Sequence, residues 1–179
     1  EELQSNDNKI EVDIYQGLPK ADKMELIIQK SVELGVNAII PVEMKRCVVK
    51  IATKDEMKKI TRWQKIAESA AKQCGRGFIP EVKHLINVKE ICNWINEYDV
   101  IIVAYENEKE NTLKAELKKL KATDLKIGIV IGPEGGFEES DIKLLKESGA
   151  KIVTLGDRIL RTETVALNVL SIIMYEFEQ

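Results

Sequence analysis

Ile127-Gly128-Ile129-Val130-Ile131-Gly132-Pro133-Glu134-Gly135-Gly136 and, further on, Ile152-Val153-Thr154-Leu155-Gly156-Asp157-Arg158-Ile159-Leu160-Arg161-Thr162-Glu163-Thr164 decide the reading of this chain. Each is a short apolar run that ends in a glycine-bearing turn and hands on to a helical pattern. Strand, turn and helix therefore occur twice in succession. Two such turns can lie side by side on one edge of a sheet, where open α/β proteins bind their ligands.

The alternation extends outward over the rest of the chain. Residues 9–16 carry Ile10, Val12 and Ile14 at every second position, the signature of a half-buried strand, closed by Gly17 and Pro19. Met24, Ile27, Ile28, Ser31, Val32 and Leu34 then recur at helical spacing up to Gly35. Residues 38–42 read as a buried strand. Ile60, Trp63, Ile66, Ala67, Ala70, Ala71 and Cys74 make one apolar face of a helix over 55–74, ended by Gly75 and Gly77. A strand over 81–86, a helix over 88–97 and a fully buried strand over 100–105 follow. Residues 112–121 read as a helix with an exposed lysine face. After the 127–131 strand come a helix over 138–148, the last strand over 151–155 and a closing helix over 163–178. The pattern predicts an α/β fold: a mainly parallel sheet with helices on both faces. A polar leader, 1–8, stands ahead of it.

With 179 residues, 44% of them hydrophobic, the chain is long enough for one domain with a single core. No apolar run approaches the roughly 20 residues of a membrane span, and no apolar signal peptide opens the chain, so a soluble cytosolic protein is expected. Cys47, Cys74 and Cys92 are too scattered for a disulfide framework or a zinc site. His84, the only histidine, has no Cys/His partners at ligand spacing, so no metal is expected. It reads as a packed or edge-strand residue within 81–86. No G-x-S-x-G elbow is present. The net charge of −3 hides a local bias, because 45–76 holds ten basic residues against Asp55, Glu56 and Glu68. That segment is either a solvated lysine face or a surface for nucleic acid.

The turns themselves narrow the ligand. Neither G-x-G-x-x-G nor G-x-x-x-x-G-K-[ST] occurs, Pro133 removes a backbone donor, and Glu134 repels phosphate. A neutral or cationic ligand suits them better than a polyphosphate. In the second turn Arg158, Arg161 and Glu163 crowd against Leu155, Ile159 and Leu160 just before a helix, the mixture expected of a pocket. The spacing also allows a structural Arg161–Glu163 or Arg161–Glu134 ion pair.

At these residues the chain resembles a known family. Ile131-Gly132-Pro133-Glu134-Gly135-Gly136-Phe137, followed by 155–164, is similar to the paired signature of ribosomal RNA small subunit methyltransferase E. Supporting matches are Gln29-Lys30-Ser31-Val32-Glu33-Leu34-Gly35, Arg62-Trp63, Glu68 to Ala71, Gln73, Arg76 and Pro80. Val165 departs from the alanine usual in the family. The resemblance spans roughly residue 17 to the C-terminus, and it implies several things. The class is the trefoil-knotted SPOUT methyltransferases, in which the C-terminal segment threads a loop. The activity is methylation of N3 of a uridine in 16S rRNA of the small ribosomal subunit, with S-adenosylmethionine as cofactor. Members form homodimers and carry an N-terminal PUA-like domain that this chain is too short to encode, which makes 1–16 a stub of it and 17–179 the catalytic domain.

The resemblance further implies that the knot gathers the turns after Tyr105, Ile131 and Leu155 around the cofactor. The residues expected to hold it are Tyr105, Ile131, Gly132, Pro133, Glu134, Gly135, Leu155, Gly156, Ile159, Leu160, Arg161 and Thr162. Arg161 is expected to stabilise the negative charge that develops on the uridine. Glu134 and Glu163 are the candidates for accepting its proton or orienting Arg161. Lys45, Arg46, Arg62 and Arg76 are the expected contacts to rRNA phosphates. Two competing readings remain open: a non-catalytic RNA-binding module with merely structural glycine turns, and a related methyltransferase acting on tRNA or another base.

Overall fold

A computed structural model describes residues 10–121 and 125–178. The chain alternates strand and helix as follows: β1 (Glu11–Gly17), α1 (Lys23–Glu33), β2 (Ala38–Glu43), α2 (Thr53–Cys74), β3 (Glu81–Val82), β4 (Ile86–Asn87), α3 (Val88–Trp94), β5 (Val100–Ala104), α4 (Leu113–Leu117), β6 (Lys126–Ile131), α5 (Glu139–Glu147), β7 (Lys151–Val153) and α6 (Thr162–Phe177). The leader 1–8 lies outside the described residues. Among those described, no helix is long and apolar enough to cross a membrane.

The seven strands form one sheet in the order β3-β2-β1-β6-β5-β7, with β4 also paired to β2, and every pair is parallel. Register brings the strand ends level: Gln16 faces Ile131, Ile131 faces Ala104, and Ala104 faces Val153. The turns that follow β1, β6, β5 and β7 therefore emerge on one edge. β6 and β7 are not neighbours, however. β5 lies between them, so the two glycine turns are not side by side but flank the segment after Ala104.

β1 is buried on both faces rather than half-buried. Val12, Asp13, Ile14, Tyr15 and Gln16 are all inaccessible, because β2 and β6 flank the strand and helices cover each side. Alternation in the sequence reported only the apolar face; the other face carries polar groups with internal partners. α1, α2 and α6 pack together, and α3 packs against α5. Each fully buried Ile or Val of the sheet contributes about 1.5–3 kcal/mol through loss of contact with water.

Other boundaries shift for local reasons. The 81–86 strand is two short pieces, β3 and β4, and His84 sits exposed between them beside Glu56 at 3.4 Å. The 88–97 helix ends at Trp94 and continues as a 3-10 turn, Ile95–Glu97. Asn87 opens α3 with a reciprocal capping box to Glu90. The 112–121 helix is only Leu113–Leu117, capped by Thr112.

Candidate active site

β6 leaves the sheet at Gly132-Pro133, and the close fit there starts on the neighbouring strand. A Cβ on Gly17 would lie 2.7 Å from Pro133 N and Cδ, so only glycine lets the end of β1 approach this turn. Gly136 has φ +69°, and a Cβ there would come within 2.5 Å of Glu106 Oε1. The turn is thus pressed between β1 on one side and the segment after β5 on the other. Tyr105 packs edge-on against Phe137 with ring centroids 6.1 Å apart, closing the same side.

Thr162, the first residue of α6, ties the second turn to the first. Its hydroxyl donates to the Gly132 carbonyl at 2.7 Å and accepts from Gln16 Nε2 at 2.9 Å. Three elements meet at one buried side chain. The loop ahead of α6 is thereby held over the ends of β6 and β5.

Between these turns lies a cavity of about 480 Å³, within the usual size range of small-molecule sites. Every residue expected to hold a cofactor borders it: Tyr105, Ile131, Gly132, Pro133, Glu134, Gly135, Leu155, Gly156, Ile159, Leu160, Arg161 and Thr162. Val165 is on the wall as well. Ile159 is 86% exposed, an apolar side chain left beside an apolar cavity. The walls fit a ligand with a flat apolar part, because close-packed main chain and aliphatic side chains dominate them. Carboxylates of Glu106 and Glu134 on the wall suit a cationic group; Glu163 does not line the cavity but pairs with Lys23, which does. These features match S-adenosylmethionine, which joins a purine to a sulfonium.

Sequence reading missed Lys23. It starts α1 and reaches the cavity, where its Nζ is 3.2 Å from Glu134 Oε1 and 3.4 Å from Glu163 Oε2. Glu134 Oε1 also accepts the Lys20 N–H at 2.9 Å. Neither Arg161–Glu163 nor Arg161–Glu134 forms; Lys23 takes both carboxylates, and Arg161 is exposed on the rim. Burial alone would raise the Glu134 carboxyl, but the Lys20 N–H, its own backbone N–H and the Lys23 ammonium hold it below the usual carboxylate range. The Glu134 contact outweighs desolvation and, with Glu163, raises Lys23. The missing signal was strand order: once β1 is known to lie beside β6, the turn after β1 belongs to the same edge. Glu106, next to Tyr105, and Thr154, next to Leu155, also line the cavity.

The basic residues separate into two kinds. Lys45 donates to Ser140 Oγ at 2.6 Å, and Arg46 pairs with Glu138 at 2.9 Å; together they pin the loop after β2 onto the segment that follows Gly136. Arg62 pairs with Glu25 at 2.6 Å and stays largely exposed. Arg76 is different. It donates to the carbonyls of Val36 at 2.6 Å and Val32 at 3.2 Å and lies over the Phe78 ring, so its guanidinium caps the end of α1 instead of facing outward.

Comparison with known proteins agrees with this geometry. The RNA methyltransferase domain family is matched by residues 6–174. Ribosomal RNA small subunit methyltransferase E of Bacillus subtilis is 41% identical over 183 residues, covering 97% of this chain and 70% of that protein. The homologue of the same name from Mesomycoplasma hyopneumoniae is 34% identical, covering 93% and 70%. The crystal structure of the Neisseria gonorrhoeae ribosomal RNA small subunit methyltransferase E bound to S-adenosyl methionine superposes with a TM-score of 0.84 at 33% identity, over 97% of this chain and 69% of that one. A parallel sheet with its cavity at the turns after β5, β6 and β7, joined to sequence identity along nearly the whole chain, places this protein in the ribosomal RNA small subunit methyltransferase E family.

Proposed function

We propose that the chain transfers a methyl group from S-adenosylmethionine to N3 of a uridine in 16S rRNA of the small ribosomal subunit. The observation that carries this reading is one cavity in which backbone turns, aliphatic walls, Lys23 and Glu134 converge, with Glu163 paired to Lys23. S-adenosylmethionine, when bound, supplies a methyl carbon on a sulfonium that keeps the C–S electron pair. Leu155, Ile159 and Leu160 would hold its adenine, and main-chain groups of Gly132, Leu155 and Leu160 would be available to its polar edge. Uridine N3 is a weak nucleophile until its proton leaves. Glu134 or Glu163 takes that proton, the N–H bond breaking as an O–H bond forms on the carboxylate, and Arg161 stabilises the negative charge left behind.

Lys45, Arg46 and Arg62 contact rRNA phosphates, aided by Lys58 and Lys65, which extend the exposed basic side of α2. The inward commitment of Arg76 removes it from this set. The knot is supported by the path after β7. Tyr105 N bonds to Val153 O, Thr154 N to Asn111 O and Leu113 N to Thr154 O, so residues 153–154 are bonded both to the start and to the end of the segment 105–113, as a threaded chain would be. A homodimer is supported by Ile172 and Tyr175, which α6 leaves exposed. The catalytic domain includes β1, an interior strand of its sheet, and so begins ahead of residue 17; the protein acts in the cytoplasm.

The test is methylation of unmodified 30S subunits followed by nucleoside mass spectrometry, which is expected to give N3-methyluridine. Arg161→Ala is expected to lose about 100-fold in methyl transfer at saturating S-adenosylmethionine. Methylation of tRNA alone, or no binding of S-adenosylmethionine by calorimetry, returns the assignment to one of the two competing readings.

A further inference from the structure

Lys23 reaches the cavity from a turn with unusual backbone. Ala21, two residues earlier, is the only non-glycine among the described residues with positive φ, at +50°. An alanine held there costs free energy that the surroundings must offset. The turn delivers two groups to the same carboxylate, Lys20 N–H and Lys23 Nζ, and a second carboxylate, Glu163, completes the cluster. Glu163 Oε2 is buried, and Lys23 Nζ meets it at ion-pair distance, 3.4 Å, without a formed hydrogen bond.

An ammonium has three N–H donors, and two anionic partners do not use them all. Lys23 lines the cavity as well as bridging the glutamates. A substrate whose proton goes to Glu134 or Glu163 must bring its N–H within hydrogen-bond distance of that carboxylate. In uracil the group flanking N3–H on each side is a carbonyl. A base placed so that N3–H meets a carboxylate therefore presents a carbonyl oxygen to the cation beside it. Arg161 is exposed on the rim and paired with neither carboxylate.

We propose that Lys23 is a catalytic residue: its remaining N–H donates to a uracil carbonyl next to N3 and stabilises the uracil anion as Glu134 or Glu163 takes the proton. This rests on the functional reading above and adds to Arg161 a second group that binds the anion. The balance is simple. The N3–H bond breaks, an O–H bond forms on the carboxylate, and the negative charge moves from that carboxylate onto the N3–C=O unit, where Lys23 meets it. Total charge in the cluster is unchanged. The other charged groups on the cavity wall are Glu106, Arg158 and Arg161.

The experiment compares wild type, Lys23→Met and Lys23→Arg in single-turnover methyl transfer, using 30S subunits reconstituted with ordinary or 5-fluorouridine-containing 16S rRNA. Fluorine at C5 makes N3–H more acidic, so it compensates for a lost anion-stabilising group. Lys23→Met is expected to be slower by about 100-fold on ordinary RNA, the loss typical of one such donor. Its affinity for S-adenosylmethionine is expected to stay within about threefold of wild type, and 5-fluorouridine to restore at least about tenfold more rate to Lys23→Met than to wild type. Lys23→Arg, which keeps the cation, is expected to retain most of the rate. A loss in Lys23→Met below about threefold, a loss indifferent to 5-fluorouridine, or a fall in cofactor affinity of similar size overturns the assignment. Wild type that yields no N3-methyluridine overturns the functional reading itself, a result separate from any response of the variants.

Discussion

The two ends of the parallel sheet each hold a buried polar cluster, and they are built on opposite plans. At the end where strands begin, Asp13 accepts from Tyr98 O–H at 2.7 Å and from Asn37 Nδ2 at 2.8 Å. Because the Tyr98 proton is directed at Asp13, the Tyr15 hydroxyl is the donor in the 2.8 Å contact between the two phenols. Burial pushes Tyr15 up to about 12, and burial with the bonds to Tyr15 and Asp13 pushes Tyr98 up strongly. The rings meet edge to face at 6.0 Å, and Gly128 leaves the space that Tyr15 and Tyr98 fill. Nothing there is open. At the other end, Lys23 and Glu134 face a cavity, and Glu163, paired with Lys23, leaves a buried oxygen outside any hydrogen bond. A saturated cluster contributes stability, whereas an unsaturated one beside a cavity costs stability and can act on a ligand.

Asp13→Ala is the strongest way to break this contrast. It strands the Tyr98 hydroxyl and the Asn37 amide inside the core, and urea unfolding is expected to show a loss of about 3 kcal/mol. Cofactor affinity measured on the folded variant is expected to stay within about threefold of wild type. If affinity falls in step with stability, the two ends are coupled and the division of labour fails.

Thr162→Val probes the opposite end with a smaller effect. The methyl group fills the space of the hydroxyl but leaves Gly132 O and Gln16 Nε2 without their partner. Stability is expected to fall by about 1–2 kcal/mol. Calorimetry is expected to show S-adenosylmethionine affinity reduced by about tenfold, since the tie between the two turns is lost. A variant that loses stability but binds as before would show that the turns keep their places without this tie.

How much of this could be read from the sequence follows from the same contrast. Apolar periodicity located the buried sheet strands and the long helices, because those elements are specified by which side chains leave water. The cavity's composition was legible too, since Gly132 to Gly136 and Leu155 to Thr162 are contiguous in the chain. What could not be read depends on partners distant in sequence. Asp13 falls on the polar side of the β1 alternation and Gln16 ends its apolar side, and their partners Tyr98, Asn37 and Thr162 come from other elements. Arg76 looked like part of a basic surface, and packing of α2 on α1 turned it to the carbonyls of Val32 and Val36. Lys23 had no local signature at all; it joins the site only because β1 lies beside β6.

Asp141 sharpens the comparison with the smallest effect. It lies in the first turn of α5, near the cavity end, buried and with Oδ2 lacking any hydrogen-bond partner among the described residues. Burial raises its folded pKa, opposed by Lys45 and reinforced by Glu138. A carboxyl whose folded pKa lies above its unfolded value is favoured by acid. Its contribution is lost as pH rises from the unfolded to the folded value, and above both it is a fixed penalty. Asp141→Asn removes the charge and keeps the shape. At pH 7 it is expected to stabilise by less than about 1 kcal/mol, seen as a rise in Tm of at most about 4 °C, and the gain is expected to vanish below the unfolded carboxyl range. Destabilisation at pH 7 would mean that the Lys45 side chain, 2.6 Å from neighbouring Ser140, needs the Asp141 charge to stay in place. In that case Asp141 would belong with the saturated cluster rather than with the unsaturated one.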